Sequence, residues 1–145
     1  MDGAPIQLDR VQKHYRSGFW MRQKQALQNV SLTVPEGSLF GYLGHNGAGK
    51  TTTIKMLLGL IAPTAGQVTL WGGNPTRPEV RQRVGYLPEQ PYFYDYLSAH
   101  EFLSFHGELC GLSGSDLQRR IAELLDWVGL CGVEKERLRG FSKGM

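Results

Sequence analysis

Residues 44–51, GHNGAGKT, constrain this chain more than any other stretch. They fit the pattern G-x-x-x-x-G-K-[ST], and their surroundings give that pattern meaning. The apolar run at 39–43 reads as a strand leading into it. Residues 51–60 read as a helix leaving it, with Ile54, Leu57 and Leu58 at spacings of three and four. At average residue frequencies the four specified positions coincide by chance in roughly 0.5% of chains this long. An ordinary glycine turn is therefore a poor account of them.

The chemistry explains each residue type. Phosphate oxygens need several backbone N–H groups converging on them, and the chain wraps tightly enough only where Gly44, Gly47 and Gly49 carry no side chain. His45, Asn46 and Ala48 fill the remaining places of the cradle. The helix that follows aims its positive end at the anion. Lys50 brings a compact ammonium to the β and γ phosphates, the Thr51 hydroxyl suits Mg²⁺, which prefers oxygen ligands, and Thr52 offers a further hydroxyl to the α phosphate.

Composition narrows the remaining choices. With 145 residues and 41% hydrophobic content, the chain can bury a core and one domain is the prior. Its formal charge of +3 is mild, and only Arg16, Arg22 and Lys24 cluster, which is too little for a nucleic-acid argument. Cys110 and Cys131 stand alone, without the spacing of a zinc site or a disulfide framework, and suit a reducing cytosol. The N-terminal residues lack the basic and apolar regions of a signal peptide. The longest greasy stretch, 56–62, is far short of the roughly 20 residues that span a bilayer.

Further runs at 6–15 and 26–34 read as strands, and the insert between them, with Phe19, Trp20 and Met21 beside positive charges, reads as a loop whose aromatics either fold back on the sheet or meet a partner. Residues 66–73 read as a strand closing on a glycine pair, and 83–87 as one more short strand. The rest is helical. Ser98 followed by Glu101 is a capping-box pattern, with Phe102, Leu103, Phe105 and Leu109 behind it. A second helix over 116–128 places Leu117, Ile121, Leu124, Leu125 and Val128 on one stripe.

With GHNGAGKTT, Tyr15 upstream and FSKGM downstream, the chain resembles the ATP-binding cassette family over nearly its whole length. The resemblance implies an α/β P-loop NTPase of that type: a mixed sheet around the P-loop, an antiparallel β subdomain and a helical subdomain, truncated before the Walker B strand. It implies one partial nucleotide-binding domain over 1–145, with a β-rich and P-loop core at 1–90 and a helical subdomain at 91–145. Tyr15 then matches the aromatic ring that stacks on adenine, and Ala26 a small contact beside it; a buried sheet tyrosine is the plainer alternative. In GYLPEQP the family's metal- and water-binding Gln aligns with Glu89, with Gln90 next to it, and either residue could take that role. The segment with Tyr92, Phe93, Tyr94 and Tyr96 corresponds to the contact region for a permease. In FSKGM, Ser142, Lys143 and Gly144 match the signature that meets the γ phosphate on the other subunit, Lys143 and Met145 replacing the usual Gly and Gln.

The family's activity needs an apolar strand ending in Asp, a neighbouring Glu that polarises water, and a His that senses the γ phosphate. Asp2, Asp9, Asp95, Asp116 and Asp126 all fail to end a run of four apolar residues. The expectation is a fragment without turnover of its own. In the longer protein the resemblance implies an ATPase using ATP and Mg²⁺, pairing head to tail as a homodimer or cassette pair. It would serve a separate integral-membrane permease of export type from the cytoplasmic face of the membrane, without binding nucleic acid. The rivals are a cassette ATPase acting on ribosomes or nucleic acid, for which basic tracts are missing, a small-molecule kinase or GTPase, and a module that binds nucleotide only for structure.

Overall fold

The computed structural model describes residues 3–17, 22–89, 91–142 and 144–145. The expectations for Phe19, Trp20, Met21, Gln90 and Lys143 fall outside them. Two compact units succeed each other along the chain, Met1–Tyr86 and Leu87–Met145.

In the first unit, β1 (Ile6–Ser17) and β2 (Arg22–Val34) form a long antiparallel hairpin. Strand β3 (Ala65–Thr69) pairs with the other edge of β1, giving the order β2-β1-β3. The hydrophobic spacing explains why this sheet is kinked. Leu8 and Val11 are both buried in one cluster although they lie three residues apart, a spacing that would put them on opposite faces of a regular strand. A bulge restores the match. Between the pairs Leu8–Leu32 and Val11–Val30, β1 uses three residues where β2 uses two; Arg10 takes φ 46° and its N–H donates to Ser31 Oγ at 2.8 Å. On the opposite edge Gly66, at φ 80°, lies so close to the Arg10 carbonyl that a Cβ there would overlap it. A second bulge at Asn29, φ 49°, does the same for Leu27 and Val30, and Gln12 Nε2 donates to the Asn29 side chain at 2.6 Å.

Helix α1 (Lys50–Leu57) covers this face, burying Thr53 and Met56. Met56 joins Leu8, Val11, Leu27 and Val68 in the core. The helix is shorter than the expected 51–60. Gly59 takes φ 67° and the Leu60 N–H returns to the Lys55 carbonyl at 2.9 Å, a left-handed glycine stop. Strand β3 likewise ends earlier than expected: Leu70 and Gly73 exchange two hydrogen bonds around Trp71 and Gly72, both at positive φ, which closes a tight turn. A short helix α2 (Pro78–Arg81), begun by proline at its first position, was not foreseen.

Residues 39–43 and 83–87, expected as strands, are irregular. A strand persists only where its N–H and C=O groups find a ladder, and neither segment has a partner strand among the described residues. Leu39 and Leu43 stand fully or nearly exposed as a result. The strands and helices belong to an α/β P-loop fold, whose antiparallel part is the sheet formed by the described residues.

The second unit is built on α3 (Ala99–Leu109) and α4 (Gly114–Trp127). Ala99, Leu117, Ile121 and Leu125 form its core, with Leu103, Leu130, Leu138 and Phe141 packed around them. The helices approach closely at Gly107, where a Cβ would overlap the Leu117 side chain. The expected capping box is present in full: Glu101 N–H donates to Ser98 Oγ at 3.2 Å, and Ser98 N–H to the Glu101 carboxylate at 2.8 Å.

Candidate functional site

The glycine loop is shaped by contacts that side chains would forbid. A Cβ on Gly44 would come within 3.0 Å of the Ala48 methyl, and the Ala48 N–H donates to the His45 carbonyl at 3.1 Å, closing the turn. Gly47 and Gly49 take φ 88° and 90°, a left-handed conformation costly for residues with a Cβ. At Gly49 a Cβ would also overlap the Leu27 side chain and lie 2.7 Å from the Ala26 carbonyl oxygen. Glycine alone lets the loop settle on β2.

Gly49 is also the N-cap of α1, and it caps nothing through a side chain. Among the described residues, the N–H groups of Lys50, Thr51 and Thr52 have no protein acceptor. The first turn holds no acidic residue, while Lys55 lies in the last turn, so the positive end of the helix is left uncompensated. Lys50 curls back over the loop and donates to the Gly44 carbonyl and, at 2.9 Å, to the His45 carbonyl. The loop thus carries an ammonium folded against its first two carbonyls and, at its far end, three free amides, donors that suit an anion with several oxygens. Thr51 is exposed beside it and Thr52 half-buried; His45 and Asn46 form the outer rim, the His45 ring bonding to the Asn46 carbonyl at 2.8 Å.

Two further residues support this region from behind and were missed in the sequence. Thr53 is 2% exposed; its hydroxyl donates to the Gly49 carbonyl and lies 3.2 Å from the Tyr42 hydroxyl. The available signal was a threonine four residues after Gly49 in an otherwise apolar helix face, with a tyrosine two residues before Gly44.

Tyr15 stands on β1 opposite Lys24, partly exposed, with the Lys13 ammonium 5.3 Å from its ring centroid. Ala26 is the extra residue of a third irregularity, where β2 takes two steps from Leu27 to Gln25 while β1 takes one from Lys13 to His14. The hairpin therefore brings Ala26 under Gly49 and places Tyr15 a short way further along the same ribbon.

Glu89, Ser142 and Gly144 belong to the second unit. All three line an apolar groove of about 940 Å³ together with Phe102, Leu125 and Phe141. Around α3, Phe93 meets Phe102 edge-on at 5.3 Å and Tyr94 meets Phe105 at 5.7 Å; Tyr92 is 96% exposed. Glu89 lies in the second unit and Thr51 in the first.

The family model described as ABC transporter matches residues 27–145. The chain belongs to the ABC transporter family. It is 48% identical, over 97% of its length, to an uncharacterized ABC transporter ATP-binding protein of Synechocystis, of which it covers 42%. It is 40% identical over 84% of its length to the bacitracin transport ATP-binding protein of Bacillus licheniformis, covering 40% of it. Among solved structures, the ATP-binding subunit of an ABC transporter superposes with a TM-score of 0.79 at 29% identity, over 98% of this chain and 57% of that one. This ABC chain thus spans less than half the length of these two curated relatives. No helix among the described residues is long and apolar enough to cross a membrane.

Proposed function

We propose that the chain is the nucleotide-binding front part of a transporter ATPase, and that residues 44–52 hold the triphosphate of Mg-ATP. The observation that carries this is the uncapped start of α1: unpartnered amides at Lys50, Thr51 and Thr52, beside an ammonium that the loop itself bends into place. The Gly44, Gly47 and Gly49 backbone wraps the anion, Lys50 neutralises its β and γ phosphates, and Thr52 contacts the α phosphate. Tyr15 stacks on the base, with Ala26 beside it.

The donor set at the loop fits a hard cation. The exposed Thr51 hydroxyl offers a neutral oxygen, and Glu89 is the residue proposed to add a carboxylate to it. Magnesium, when bound, neutralises charge on the phosphate oxygens. Gln90 is the other candidate for the Glu89 role.

In the longer protein, Ser142, Lys143 and Gly144 meet the nucleotide of a second cassette arranged head to tail, and ATP binding and hydrolysis drive an export-type permease at the cytoplasmic face of the membrane. The name of the bacitracin transport relative supports the transport reading. The exposed rings at 92–96 support a permease contact, since aromatic residues favour interfaces. These 145 residues alone are proposed to bind without steady turnover, because no aspartate among them ends an apolar strand.

The test is a calorimetric titration with Mg-ATP. The chain binds, and Lys50→Ala binds no longer; equal affinity of the two would sink the assignment.

A further inference from the structure

We propose that the Tyr42 hydroxyl is a positioning group for the phosphate-facing amide of Lys50, acting through Thr53. The proposal rests on the P-loop reading above and deepens it. A threonine hydroxyl has one proton, and that of Thr53 is spent on the Gly49 carbonyl at 3.2 Å. With that proton so placed, Tyr42 is the donor across its own 3.2 Å contact with Thr53 Oγ1, the direction the proposal adopts. The result is a directed relay, Tyr42 O–H to Thr53 O–H to Gly49 C=O.

The Gly49 carbonyl also accepts the Thr53 N–H at 2.9 Å, so one oxygen is fixed from two directions by one buried residue. What fixes that oxygen also fixes the Lys50 N–H, because the two groups share a planar trans peptide and point oppositely. The carbonyl faces down the helix toward Thr53, and the N–H faces up into the glycine loop. Each donor in such a chain polarises the next, which strengthens the final N–H as a donor to an anion. Gly49, at φ 90° and without a side-chain cap, has no other side chain bonded to this peptide among the described residues. Both relay contacts exceed the usual O–H···O separation of about 2.8 Å, so the effect is modest.

The experiment compares the chain with Tyr42→Phe, Thr53→Val, Thr53→Ser and the Tyr42→Phe/Thr53→Val pair. It reads Mg-ATP affinity by calorimetry and the Lys50 amide resonance by ¹H–¹⁵N spectroscopy of the nucleotide-free chain. Tyr42→Phe is expected to weaken binding about two- to fivefold and to move the Lys50 amide proton upfield. Thr53→Val should do the same, Thr53→Ser should restore both readings, and the double variant should lose no more than the worse single one. The relay is overturned if Tyr42→Phe leaves affinity and the Lys50 resonance unchanged, or if the two losses simply add. Absence of Mg-ATP binding in the unmodified chain would instead count against the P-loop reading, while the resonance would still decide the relay.

Discussion

Two helices of this chain begin in opposite ways. Helix α3 closes much of its own start: Ser98 and Glu101 satisfy each other's backbone N–H groups, and the His100 N–H donates to the Glu134 carbonyl at 2.9 Å. Helix α1 starts from a glycine with no side chain, no acid in its first turn, and amides that no group fills among the described residues. A helix start completed by its own side chains serves stability. One left incomplete, held in a left-handed glycine conformation against a strand, suits the anion proposed for it.

The contrast can be broken at either end. The largest effect is expected at the open start. Gly49→Ala forces a Cβ into the Leu27 side chain and the Ala26 carbonyl at a left-handed φ, so the loop must lift off β2. The expected cost is about 2–4 kcal/mol, seen as a fall in Tm together with loss of Mg-ATP binding. A Gly49→Ala variant with native Tm and affinity would show that the close seat on β2 is not needed.

Ser98→Ala, at the closed start, should cost about 1 kcal/mol and leave nucleotide affinity untouched. If it weakened Mg-ATP binding as much as it lowered Tm, the two helix starts would not be functionally separate.

Acid should produce the smallest effect. The Ser98 backbone N–H, and then its hydroxyl, hold the Glu101 carboxyl below its ordinary value, and the backbone N–H groups of Glu134 itself and of Gly132 do so for Glu134. A carboxyl whose folded pKa is depressed contributes stability in full above its unfolded pKa of about 4.3. That contribution fades as pH falls through the lower folded value. Denaturation midpoints measured from about pH 6 to about pH 3 should therefore decline, and Glu101→Gln should decline less steeply.

Patterns that act within a few residues were legible in the sequence. The glycine loop, the Ser98–Glu101 capping box and most of the stripe along α4 each carry their own geometry; Leu117, Ile121 and Leu125 of that stripe are buried, whereas Val128 lies past the helix end and is exposed. What failed was the reading of 39–43 and 83–87 as strands, since an apolar run specifies a tendency and only a neighbouring strand makes it a ladder. Also hidden was the support beneath the loop. Leu27, Tyr42 and Thr53 matter through contacts between segments distant in the chain, and no local spacing announces them.

The kinks at Arg10 and Asn29 have a consequence for how the ribbon threads. A regular hairpin can slide by two residues and keep every side chain on its proper face. Here a slide of β3 by two residues would carry Gly66 away from the Arg10 bend and set Thr64 or Val68, each bearing a Cβ, against its carbonyl. Misaligned pairings of β1 with β3 are thereby penalised by the sheet itself. The bulges at Arg10 and Asn29 do the same for β2, whose stretch beneath the glycine loop is held at one longitudinal position.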